Sequence, residues 1–364
     1  INLHDNQTMT TATTNPADWE LVWSDEFDGA AGTPPDPNTW THELGDGALN
    51  DITGWGNGDF QYYTDSTDNS AREGNGNLVI TASKTNTETT DHLCWYGTCE
   101  YTSARLISAG KQAQQFGRID VRAKVPFGQG IWPALWMLGT DINEVGWPQT
   151  GEIDIMEYVG FEPNGVFGTV HGPGYSGGNG IGSGNYDIGE PVADNFHEFS
   201  IEWQPGEIRW YIDGTHFHTV TTADTPNADG SDWVFDHPFF FILNIAVGGN
   251  FPGSPDGTST YPQTLEVDYV RLYQQADNAE RFEATFVDNF TGWKKVQIPF
   301  SDFTRSADQP AGAPDDGLTL TDVWGYGFEM PASDPSQTLY FDQVHLETTI
   351  MEESYMRFMP IIKR

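Results

Sequence analysis

Residues 196 to 214, FHEFSIEWQPGEIRWYIDG, leave the backbone few options. Two runs of alternating apolar and polar side chains meet at Gln204-Pro205-Gly206-Glu207, and the second ends in the turn pair Asp213-Gly214. Period-two alternation belongs to a strand with one dry and one wet face, and the Pro-Gly break reverses the chain, so the stretch reads as a β-hairpin. Similar runs recur as WELVWSDEF, GNLVITASK and GRIDVRAKV, punctuated by Gly, Asn, Asp and Pro. Convincing amphipathic helical segments are absent from the sequence. Half-buried strands must close their dry faces on one another, which predicts an all-β, two-sheet antiparallel sandwich.

The pattern also divides the chain. Residues 1–17 are polar, Thr-rich and aperiodic, and read as a flexible tail. Residues 18–276 hold the sandwich, with LEVDYVRLYQQ (265 to 275) as its closing strand. A second segment, 277–348, contains the strand-like runs WKKVQIPFSDFTR, LTDVWGYGFEM and LYFDQVHLE. It resembles the later half of a carbohydrate-binding jelly roll. Residues 349–364 fit neither pattern.

Charge narrows the partners. The 364 residues include 53 acidic and 16 basic side chains, for a net charge of −37. Phosphate binding needs a basic patch, so nucleic acid and anionic membranes are excluded as expected partners, and sulfated or carboxylated polysaccharides are disfavoured. No apolar run approaches the roughly 18 residues of a membrane helix. A composition rich in Gly and aromatics and poor in Lys is that of an all-β extracellular protein, expected to be secreted and to act as a monomer. Cys94 and Cys99 have four residues between them, including a Gly, a spacing that suits a disulfide across a hairpin tip. No second ligand pair accompanies them, which argues against zinc.

The most informative stretch is GEIDIMEYVG, residues 151 to 160. On an ideal strand Glu152 and Asp154 share a face, while Glu157 falls out of step and would point into the core. A buried, unpartnered glutamate is costly. A β-bulge near Ile155-Met156 removes the conflict, because two residues then oppose one and the parity resets. Glu152 and Glu157 would flank one spot with Asp154 between them. Two carboxyl groups about 5 to 5.5 Å apart are the geometry of a retaining glycosidase. Glu152 would then be nucleophile, Glu157 acid/base with a raised pKa, and Asp154 the support of the nucleophile. Taken alone, three solvated acids on a strand face would be unremarkable in so acidic a chain. Upstream, Trp132 and Trp136 stand four apart and so share a face, where indoles offer platforms for sugar rings. Trp55 and Trp147 are further candidates, although each indole could equally pack in a core.

WPALWML, GWPQTGEIDIMEYVG, GTVHGPGYSG, DHPFFFILNIAVGGNFPGSP and VDYVRLY together resemble the bacterial laminarinases of glycoside hydrolase family 16 from Trp19 to Tyr273. The resemblance implies a concanavalin-like jelly-roll sandwich and endo-hydrolysis of β-1,3-glucan. It implies the same roles for Glu152, Asp154 and Glu157. Glucan contacts would come from Asn57, Arg105, Trp132, Trp136 and Trp147, with His171 on the cleft side of its strand. It also implies a structural calcium on Glu26, a backbone oxygen near Gly76, and Asp268, and no cofactor for catalysis, for which no His/Cys/Asp cluster has metal-ligand spacing in the sequence. GWGNGDFQYY departs from relatives that carry a Glu near Asp59. The alternatives are hydrolysis of a mixed-linkage β-1,3-1,4-glucan or a galactan, or glucan binding without hydrolysis.

Overall fold

A computed structural model describes residues 19–227 and 231–275, and beyond them 282–285, 297–307, 309, 343–347 and 355–359. The hairpin read from the sequence forms as expected: His197–Gln204 pairs antiparallel with Glu207–Ile212, from Gln204 opposite Glu207 to Phe199 opposite Ile212. Two compact units divide between Gln275 and Ala276.

In the first unit two large sheets lie face to face. One carries the hairpin, the Gly117–Lys124 strand and the long Gln263–Gln275 strand, which pairs with Trp19–Asp25. The other is the site sheet. Its strands are β1 (Thr41–Glu43), β2 (Arg105–Ile107), β3 (Ile131–Gly139), β4 (Glu152–Glu157), β5 (Gly165–His171), β6 (Ile181–Gly182) and β7 (Phe239–Val247). Across the sheet the order is β6-β5-β4-β3-β7-β2-β1. Residues of one parity on β3, β4 and β7, among them Leu135, Met137, Ile153, Leu243 and Ile245, are fully or almost fully buried against Ile119, Val121, Ile201, Trp203 and Trp210 of the opposing sheet. An apolar layer shared by two twisted sheets is what alternation predicts, and it frees the opposite parity of β3, β4 and β5 to form a cleft.

The bulge is where the parity argument placed it. Leu135 opposes Met156 and Trp136 opposes Asp154, so Ile155 is the extra residue on the β3 side. Toward β5 the pairing steps from Asp154–Thr169 to Glu157–Phe167, leaving Gly168 alone opposite Ile155-Met156. Both bulge residues point inward, Ile155 being 2% exposed and Met156 fully buried. Trp210 of the opposing sheet donates its indole N–H to the Asp154 carbonyl oxygen at 2.8 Å. Gly168 makes room for it: a Cβ there would fall 2.4 Å from the indole Cδ1. A break in the ladder is thus given a buried partner from outside the sheet.

In the second unit, Gln297–Pro299, Tyr355–Met359 and Gln343–Glu347 form a three-stranded sheet with the 355–359 strand in the middle. The last stretch of sequence, left unassigned by its pattern, therefore contributes a central strand. The expected strand LTDVWGYGFEM lies outside the described residues.

Candidate active site

On the cleft face, cross-strand pairing sets three rows. Leu138, Glu152 and His171 are opposite one another, as are Trp136, Asp154 and Thr169, and Ala134, Glu157 and Phe167. The last row continues through Asn244 and Arg105 to Glu43. Glu152, Asp154 and Glu157 thus share one face.

Each glutamate receives an indole N–H. Trp147 donates to Glu152 Oε2 at 2.9 Å, and Trp132 donates to Glu157 Oε1 at 3.1 Å. Asp154, the deepest of the three, is 3% exposed. Its Oδ2 lies 3.2 Å from His171 Nε2, which is 3.6 Å from Glu152 Oε1. Burial pushes all three carboxyls above the usual carboxylate range, and the charge of Asp154 adds to the push on Glu152 and Glu157. His171 counters it at both glutamates. A raised pKa was expected for Glu157 alone; the shared burial extends it to all three, so the cluster holds protons at pH values where isolated carboxyls would not.

His171 Nδ1 is buried with no hydrogen-bond partner among the described residues. Gly180 stands against that edge of the ring, where a Cβ would come within 2.4 Å of Cε1 and 2.6 Å of Nδ1. Gly182 approaches Thr169 in the same way, its Cβ position being 2.8 Å from Oγ1. These glycines let the 172–187 loop close on the cleft side of β5.

Not every expected contact takes the expected form. Trp136 has its N–H bound to Asn244 Oδ1 at 2.8 Å. Arg105 is buried and paired with Glu43, and its guanidinium lies 4.5 Å from the Trp55 ring centre and 4.7 Å from that of Trp136. Its place is between two indoles, and Trp55 is itself buried rather than a platform. Asn57 is half-buried, and its carbonyl oxygen accepts the Asn250 N–H. Asp59, at the doubtful rim position, is buried and bound by Gln61. The sequence reading missed Phe251, which packs edge-on to Trp132 and Phe167 at 5.5 and 5.2 Å. An aromatic after Gly248-Gly249-Asn250 was visible, but nothing in the sequence tied it to Trp132.

Two metal expectations change. The Glu26 carboxylate is held at both oxygens by Arg271, and Asp268 pairs with Arg122. What approaches Gly76 is the Glu26 carbonyl oxygen, 3.7 Å from the ideal Cβ position, and Asp28 Oδ1 at 4.0 Å. Arginines thus neutralise both carboxylates of the expected calcium set, and what Glu26 offers toward Gly76 is its main-chain oxygen. Conversely, the strand pairing gathers a cluster that sequence spacing hid: ligand atoms of Glu152, Asp154 and His171 lie within 4.8 Å of one another. A cation there would compete for the same carboxylate lone pairs that any chemistry of Glu152 requires. The Cys94–Cys99 disulfide forms as expected.

Residues 58–271 match the family of glycosyl hydrolases family 16, and residues 270–349 match carbohydrate binding domain family 11. A beta-glucanase of Rhodothermus marinus is 44% identical over 263 residues, covering 70% of this chain and 85% of that protein. Among solved structures, the laminarinase catalytic domain of Thermotoga maritima MSB8 is similar at 51% identity and a TM-score of 0.65, covering 71% of this chain and 98% of that one. The endo-beta-1,3-glucanase of Pyrococcus furiosus is 47% identical with a TM-score of 0.64, covering 70% of this chain and 94% of that one.

Proposed function

The chain belongs to glycosyl hydrolase family 16, and from that premise we propose that it cleaves internal β-1,3-glucosidic bonds of laminarin-like glucans with retention of configuration. The observation that carries this reading is the bulge in β4, which leaves two half-buried glutamates and a buried aspartate on one cleft face flanked by indoles. Glu152 attacks the anomeric carbon and forms the glycosyl-enzyme. Glu157 gives its proton to the departing oxygen and then takes one from the incoming water. Asp154, beside His171, holds the nucleophile side of the cluster and keeps a proton within reach of it.

Glu152 and Glu157 lie on the same cleft face, on either side of Asp154, which supports placing them around one bond. A neutral glucan suits a chain of net charge −37 better than a sulfated galactan does. The polymeric substrate and the disulfide both favour a site of action outside the cell. The segment matching a carbohydrate-binding family would hold insoluble glucan near the cleft.

The test is stereochemical. Proton NMR of a fresh laminarin digest should show β-configured reducing ends first, with the α form arising only by mutarotation. An initial α signal would mean inversion and would remove the nucleophile role from Glu152.

A further inference from the structure

The disulfide hairpin carries an aromatic group that the cleft chemistry does not use. Trp95 sits between Cys94 and Cys99 and is 49% exposed, yet it is firmly fixed. Its N–H donates to the Asp59 carbonyl oxygen at 2.7 Å, and Phe60 and Tyr96 pack beside it at 6.2 and 5.4 Å. Tyr96 in turn donates its hydroxyl to the Phe60 carbonyl oxygen at 2.6 Å. An indole with its polar edge satisfied, its hairpin cross-linked and much of its surface left in water is preorganised to receive a flat apolar partner.

Its position gives it a partner. Along the row from Glu157 through Ala134 and Asn244 to Arg105 there are three strand spacings, about 14 Å. Arg105 rests on Trp55. The neighbouring Gly54 then borders Trp95, its Cβ position being 3.1 Å from the indole Cδ1 and Nε1. A chain of contacts therefore links the aromatic groups beside the carboxylates, through Arg105, Trp55 and Gly54, to an exposed indole outside the site sheet.

We propose that Trp95 is a distal subsite that stacks on a pyranose ring of the glucan chain, several sugar units from the bond being cleaved. This rests on the glucan-cleaving reading above, and adds a binding position outside the sheet. The subsite matters only for chains long enough to span from the carboxylates to the hairpin.

The test compares the full chain with its Trp95→Ala and Trp95→Tyr variants on linear β-1,3-gluco-oligosaccharides of increasing length. For Trp95→Ala, the ratio of kcat/KM on long chains to that on short ones should fall about tenfold, the scale of one lost stacking contact. Trp95→Tyr, which keeps a ring, should recover most of the ratio. In the Glu152→Gln background, titration calorimetry should show the same length-dependent loss of affinity. Equal losses on long and short chains would make Trp95 a structural residue and overturn the proposal, as would an unchanged ratio. If the parent protein cleaves mixed-linkage chains instead, with the same dependence on Trp95, the subsite stands and the linkage assignment falls.

Discussion

Glu152→Gln should abolish turnover of laminarin, with a loss of about 10⁴-fold or more, while leaving the protein folded. The replacement has nearly the same shape and keeps an oxygen for the Trp147 N–H, so the local bonding survives. What disappears is the carboxylate oxygen that attacks in the proposed mechanism. An amide oxygen is a poor nucleophile, and neither Asp154, the most buried of the three on this face, nor Glu157, bound by Trp132, can take its place without dismantling the bulge. The loss should persist with every leaving group, because bond formation itself is blocked. A purified variant with a native circular dichroism spectrum and near-normal hydrolysis would refute the assignment.

Glu157→Gln should cost about 10² to 10⁴-fold on laminarin, with a different signature. An aryl glucoside whose phenol leaves without protonation should form the glycosyl-enzyme at a rate much closer to normal. The intermediate should then accumulate, and added azide, which needs no base, should release it. Equal impairment on both substrates would show that Glu157 is not the acid. The pH profile offers a second measure. Burial and the charge of Asp154 raise Glu157, so in the parent protein the acid form persists toward neutrality and activity falls as pH climbs through its pKa. That alkaline limb should vanish in the variant. Stability follows the same proton: below the unfolded carboxyl pKa both states hold it, and no penalty exists. As pH rises from there toward the folded value, unfolding releases the proton and native stability declines. The variant should therefore melt progressively higher than the parent as pH rises across this window.

Much of this arrangement was legible because it depends on parity. On a strand, three acids at 152, 154 and 157 could share a face only through a bulge, and Trp132 and Trp136, an even number of residues apart, share one by parity. What could not be read depends on which strands become neighbours. His171 meets Asp154 and Glu152 through the β4–β5 register, and Arg105 slots between Trp55 and Trp136 through contacts that span several strands. The partners of the carboxylates in the expected calcium set were hidden for a related reason. Glu26 and Asp268 are acidic in sequence, but Arg271 and Arg122 are brought to them by the fold. In a chain with few cations, the fate of each carboxylate is decided by where those few arginines land.

The seating of the bulge has a consequence for how this strand tolerates insertions and deletions. Ile155 and Met156 both face inward, so the strand already contains one residue more than regular pleating needs. Deleting Met156 would leave Glu-Ile-Asp-Ile-Glu, in which every acid again falls on the outer face without any bulge. The loss would be one buried side chain, about 2 to 5 kcal/mol, together with the reason for Trp210 to reach the Asp154 carbonyl oxygen. Deleting Ile153 would instead turn Glu152 toward the core while Asp154 and Glu157 stayed in place. The two deletions remove residues of similar size from the same strand, so similar losses in melting temperature are expected. Only the Met156 deletion should retain hydrolysis above that of Glu157→Gln. If both deletions are equally inactive while folded, the bulge does more than restore phase, and the extra residue sets the distance between the acids as well as their direction.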